Sequence, residues 1–119
     1  MSRKIGLKRI YDSPDPADGF RVLVDRLWAR GVTREAANID LWAKELTPSN
    51  ELRKWFHQAT SRQPEFQQRY RSELDSHTAA SASVMSKLRE QATITLVTAT
   101  KDLVGGHAAI LQAFLSEKL

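Results

Sequence analysis

The chain has 119 residues, 41% of them hydrophobic and 27% charged, proportions of an ordinary globular protein long enough to bury a core of its own. It has no cysteine, which excludes thiol nucleophiles, disulfides and cysteine-held metals; no run approaches the roughly 18 apolar residues of a membrane span, the N-terminal MSRKIGLKRIYD lacks a signal-peptide core, and one cytoplasmic domain over residues 1–119 is expected. Lys and Arg exceed Asp and Glu by 18 to 14, and residues 1–34 hold the whole surplus, with eight basic groups against four acidic ones.

Residues 5–11 alternate Ile5, Leu7, Arg9 and Tyr11 against Gly6, Lys8 and Ile10, which suits a strand near a sheet edge. Residues 12–19 hold two prolines, three aspartates and a glycine, so they read as turn or loop. Residues 20–25 (FRVLVD) read as a buried strand, because a short, nearly continuous apolar run suits cover on both faces. The run breaks into Asp25, Arg26, Trp28 and Arg30, and Gly31 ends the segment. Thr33 can cap a short helical turn over residues 33–38. Residues 39–46 fit both strand alternation and a helical stripe, and are assigned as a strand. Pro48 and Ser49 stop it. With Ser49 as cap and Glu51 in the first turn, a helix follows with Leu52, Trp55 and Phe56 at helical spacing.

A second helix opens at Pro64 and Glu65 and presents Phe66, Tyr70 and Leu74 on one face. His77 falls beyond that stripe, and the small polar residues 78–83 predict a kink or joint. A helix over residues 81–91 then buries Val84, Met85 and Leu88. Residues 93–98 (TITLVT) are β-branched and apolar, an internal strand. Residues 99–106 form a loop, and residues 107–119 a terminal helix with Ile110, Leu111, Phe114 and Leu115 as its stripe. Strands separated by helical stretches predict an α/β domain with a mainly parallel sheet of three to four strands, residues 20–24 lying beside 94–97.

In open α/β sheets ligands bind beyond the carboxyl ends of the strands. If the two central strands are parallel neighbours, Asp25, Arg26, Trp28 and Arg30 converge with Thr98, Thr100, Lys101 and Asp102. Gly105, Gly106 and His107 begin the last helix at the same edge. Unpaired N–H groups at a helix start, glycines that let a ligand approach, and the Arg26 and Lys101 charges together describe a pocket for phosphate or carboxylate. His107 stands on the inward side of its helix as a candidate general acid or base.

Each of these residues also has a purely structural reading. Asp25 and Arg26 would form a buried ion pair at the strand end, Lys101 and Asp102 a surface loop pair, and His107 a hydrogen-bonded core residue. Trp28 would pack under the loop rather than stack on a base. Walker, GxSxG and HExxH patterns are missing, and three scattered histidines imply neither a metal nor a cofactor.

Three blocks in this order, FRVLVDRLWARG, LWAKELTPSNELRKWFH, and TLVTATKD followed by the His107–Ala108 pair, resemble the bacterial YeaO-like branch of the DUF488 family across nearly the whole chain. The resemblance implies a single Rossmann-like domain, supports a strand in residues 39–46, and puts Lys44, Glu45, Thr47 and Ser49 at the same sheet edge. It supplies no reaction. The chain departs from the family pattern at Ala29, where WPRG is usual, at Gly106, where asparagine commonly precedes the histidine, and at Ala99, the serine of a SAKD block. Cysteines near the last strand in related branches are missing here, which removes thiol chemistry.

The expected function is binding of an anionic small molecule, a nucleotide or phosphorylated metabolite, by Arg26, Trp28, Arg30, Lys44, Lys101, Asp102 and Gly106. Asp25, Glu45 and His107 would carry any hydrolysis or group transfer. Two alternatives stand beside it: a nucleic-acid-binding module using the basic first third with Trp28 as a stacking surface, and a protein-interaction domain without a ligand. No reading involves a membrane, and the oligomeric state is open.

Overall fold

The computed structural model describes residues 3–58, 63–76, 79–103 and 105–119, the side chains of residues 79 and 80 excepted. His77 and the start of the expected joint lie outside these residues. Four parallel strands, β1 (Lys4–Arg9), β2 (Phe20–Leu23), β3 (Leu41–Trp42) and β4 (Thr93–Thr98), form one sheet in the order β1-β4-β2-β3. The helices are α1 (Arg34–Ala37), α2 (Asn50–Gln58), α3 (Gln63–Asp75), α4 (Ala79–Arg89) and α5 (His107–Lys118). The architecture is an α/β fold of Rossmann-like type, and no helix among the described residues is long and apolar enough to cross a membrane.

The two apolar runs pair as their composition predicts, with Phe20 beside Ile94 and Leu23 beside Val97. Their side chains alternate between two faces. Val22, Val24, Ile94 and Leu96 join one core with Leu52 of α2, Phe66, Tyr70 and Leu74 of α3, Met85 and Leu88 of α4, and Leu111 and Phe114 of α5. Leu23 and Val97 face the other way and pack with Ile10, Ala29 and Ala37, and with the partly buried Trp28, Val32, Ile39 and Trp42. The four longer helices therefore share one core, while the second face is covered by the 26–40 segment and the single turn α1.

Arg21 occupies that second face at 1% exposure. Its Nη1 donates to Asp18 Oδ2 at 2.6 Å, and its Nε and Nη2 donate to Ala37 O at 3.1 and 2.9 Å, with Nε also 3.2 Å from Asn38 O. A buried guanidinium survives because an anion and the carbonyls left over at the end of α1 satisfy it. Lys8 Nζ joins at 3.1 Å from Asp18. The Thr33 hydroxyl caps α1 by accepting from Ala36 N at 3.1 Å, and the Ser49 hydroxyl caps α2 by accepting from Leu52 N, also at 3.1 Å.

The stretch 39–46 departs from its strand assignment. Only Leu41 and Trp42 pair with β2, and Lys44–Leu46 close into a 3-10 turn. The Asp40 side chain accepts from Arg21 N at 2.8 Å, and Thr47 N and Oγ1 both donate to Lys44 O. Main-chain bonds from Asp40 N to Arg21 O and from Ala43 N to Leu23 O, both 2.9 Å, bound the two paired residues, and the 3-10 turn then carries the chain away from β2.

Gly19 lies at φ 65 where the 3-10 turn Pro16–Asp18 feeds β2, and a Cβ there would sit 2.5 Å from the Thr93 carbonyl oxygen. Gly19→Ala is expected to lower stability by about 2 kcal/mol, since strained backbone and a contact with main chain act together. A urea midpoint shift at unchanged m-value would show it.

Candidate functional site

The chain leaving β2 runs on to β3, whereas the chain leaving β4 turns into α5, which ties back to β1 through Gln112 Nε2 and Ile5 O at 2.7 Å. The crevice at the carboxyl ends of β2 and β4 is therefore a switch point of the topology, where ligands bind in open α/β sheets. A cleft of about 370 Å³ opens there.

Asp25 stands at its floor. One carboxylate oxygen accepts from the Thr98 hydroxyl at 2.6 Å, the other from Ala99 N at 2.7 Å, so the side chain joins the ends of the two central strands. His107 Nε2 lies 2.7 Å from Val24 O and 3.2 Å from Asp25 Oδ1. A carbonyl can only accept, so the proton sits on Nε2, and Nδ1 is the nitrogen left to gain one. Burial works against the charged form of Asp25. The bonds from His107, Ala99 N–H and the Thr98 hydroxyl outweigh it and hold the carboxyl below its ordinary value. Tyr70, edge-on to His107 at 6.4 Å, donates to Leu46 O at 2.5 Å. Burial pushes its hydroxyl upward, with Glu73 and Asp25 adding to the rise, so it stays neutral.

Of the residues expected from sequence, the cleft brings together Asp25, Arg26, Trp28, Arg30, Gly106 and His107. Arg26 Nη2 donates to Pro48 O at 3.0 Å, and its Nε is buried with no acceptor among the described residues. Trp28 donates from Nε1 to Val32 O at 2.7 Å, meets Trp42 edge-on at 5.5 Å and carries the Arg34 guanidinium 4.6 Å from its ring centroid. Gly106 precedes α5 without a side-chain cap. A Cβ at that position would come within 2.8 Å of Asp102 O, so an asparagine there requires a different loop path.

Four expected residues lie elsewhere. Lys44 is exposed with its ammonium 4.0 Å from the Trp42 ring centroid. Glu45 is exposed beside a separate depression near Ser49 and Glu73. Lys101 is exposed and does not line the cleft, and Asp102 accepts from Gly105 N at 2.9 Å, holding its own loop. Of the other two positions put at this edge, Thr47 is buried on Lys44 O, while Ser49 caps α2 and its hydroxyl donates to Glu73 at 2.6 Å. Among the described residues no group of three or more histidines and carboxylates is placed to hold a metal ion.

Arg53, Phe56 and His57 complete the cleft from α2, and Tyr11 from the end of β1. Sequence reasoning passed over them. Their spacing carried a signal, since Arg53, Phe56 and His57 stand at i, i+3 and i+4 and share a helix face, but nothing local says that this face turns toward the strand ends.

The profile described as "Inactive DUF488-N3 subclade" matches residues 4–119. The chain belongs to the DUF488 family. An uncharacterised protein of Mycobacterium tuberculosis is 39% identical over 113 residues, covering 95% of this chain and 94% of that protein. The uncharacterised protein YeaO of Escherichia coli is 38% identical over 111 residues, covering 93% and 96%. No solved structure matches. Within this DUF488 chain Ala29, Ala99 and Gly106, the three positions at which the resemblance implied a departure, all line the cleft, Ala29 as a buried residue.

Proposed function

We propose that this DUF488 chain binds an anionic small molecule, a nucleotide or phosphorylated metabolite, in the strand-end cleft and does not transform it. The carrying observation is the state of Asp25. It is the only carboxylate among the described residues lining the cleft, and the Thr98 hydroxyl, Ala99 N–H and His107 already engage both of its oxygens. A carboxylate so engaged is a poor general base. Arg26, Arg30 and Arg53 line the same cleft, giving three fixed positive charges against one negative charge met inside the fold. The description of the matching subclade as inactive agrees with binding without turnover.

The nucleic-acid reading has less support. Of the basic groups in residues 1–34, Arg3 donates to the carbonyls of Arg89, Gln91 and Leu119, Lys8 and Arg21 pair with Asp18, and Arg34 lies over Trp28. Trp28 itself is held by Val32, Trp42 and Arg34, not offered as an open stacking face.

Titration with orthophosphate, sugar phosphates and nucleoside phosphates tests the proposal. A ligand at about 100 times its dissociation constant adds roughly 2.7 kcal/mol, or about 10 °C in midpoint for a chain of this size. Arg53→Ala is expected to weaken that ligand about tenfold, and the ligand is expected to be recovered unchanged after prolonged incubation. Failure of every anion to bind overturns the reading, and release of a product restores the hydrolase or transferase alternative.

A further inference from the structure

Resting on the reading of the cleft as an anion site, we infer that its ligand is a flat ring carrying one terminal anionic group. The wall formed by α2 and the segment before it changes character along its length. At its start stand two cations that line the cleft: Arg26, whose Nη2 donates to Pro48 O at 3.0 Å, and Arg53, whose Nη1 donates to Asn50 Oδ1 at 3.3 Å. Arg26 Nε is buried and lacks an acceptor among the described residues, so this guanidinium lines the cleft with its donors only partly satisfied, and an oxyanion there would meet a cation with bonding capacity left over. One turn further along α2, Phe56 lies in the cleft, stacked on Phe66 at 4.2 Å between centroids with 11° between planes.

Leu27 also lines the cleft, at 69% exposure the most exposed large apolar side chain among the described residues. Apolar surface left open in the same cleft as two guanidiniums is complementary to a ligand with two chemically distinct ends. Sugar phosphates and inorganic anions would satisfy the arginines and leave Leu27 and Phe56 wet. The volume of about 370 Å³ lies at the low end of ligand pockets, which favours a mononucleotide or an aryl phosphate over a dinucleotide.

Calorimetric titration of the full chain with adenosine monophosphate, phenyl phosphate, ribose phosphate, orthophosphate and adenosine separates the possibilities. The expected result is that at least one of the two ring-bearing phosphates binds about tenfold or more tighter than ribose phosphate or orthophosphate, and the tighter of the two identifies the ring. Leu27→Ser, at an exposed position that leaves folding intact, is expected to remove most of that advantage without changing ribose phosphate affinity. Ribose phosphate binding as tightly as both ring-bearing phosphates overturns the inference while leaving the anion site standing. Adenosine binding as tightly as its monophosphate overturns the anion reading instead, and with it the two-ended ligand.

Discussion

Asp18→Ala is expected to lower stability by about 3 kcal/mol, although Asp18 ends only a three-residue 3-10 turn, because the change strands Arg21. The Arg21 side chain is 2% exposed, and its one anionic contact among the described residues is Asp18 Oδ2 at 2.6 Å. Without it a full charge remains buried with only the carbonyls of Ala37 and Asn38. Asp18→Asn keeps an acceptor and should cost less. The same pair gives a pH signature. Burial opposes the charged form of Asp18, but Asp15 N–H, Lys8 and Arg21 prevail and hold its carboxyl below 3.8, the ordinary value. In that interval the unfolded chain binds the proton more readily than the folded one. The stabilisation is therefore complete above the ordinary value and is lost as pH falls through the folded value. Urea midpoints of the natural sequence should stay flat down to about pH 5 and then fall, whereas Asp18→Ala should start lower and fall less steeply. A cost below about 1 kcal/mol would mean that the carbonyls alone satisfy the arginine.

The elements legible in the sequence are those whose signals are local. The apolar runs of β2 and β4, the stripe Phe66, Tyr70, Leu74, and the caps Thr33 and Ser49 each depend on residues within a turn or two, and each took the expected form. Their parallel pairing followed from composition, and with it the convergence of Asp25, Arg26, Arg30 and His107 at one edge. Residues 39–46 were not legible because a two-residue strand and a 3-10 turn together mimic either period. Arg21 gave no local sign of burial, since its partners at Ala37 and Asn38 are 16 and 17 residues away. Lys44, Glu45 and Lys101 belong to the right edge by chain position, yet rings and solvent take their side chains. Arg53 and His57 reached the cleft only through the docking of α2 on the strand ends. Proximity to a strand end thus pointed to the cleft, while which side chains line it was decided by tertiary packing.

Asp25→Asn separates a structural carboxylate from a catalytic one. The natural side chain accepts three donors, of which the Thr98 hydroxyl is wholly buried. An amide offers one oxygen and sets an NH₂ against groups that already donate, so stability is expected to fall by about 2 kcal/mol. Asp25→Ala, which leaves Ala99 N–H without its acceptor, the Thr98 hydroxyl with only Thr100 Oγ1 at 3.2 Å and His107 with only Val24 O, should cost about 3 kcal/mol. The binding effect has the opposite sign. Among the described residues Asp25 carries the only negative charge lining a cleft with Arg26, Arg30 and Arg53, and its removal leaves the attraction of those cations for an anion unopposed. The Asn variant should therefore bind orthophosphate more tightly than the natural sequence does, while melting at a lower temperature. A role in proton transfer predicts a different pair of results: near-unchanged affinity and loss of a turnover that the natural sequence possesses. Measuring phosphate affinity and thermal midpoint on the same two proteins distinguishes them, because destabilisation alone cannot raise affinity for an anion.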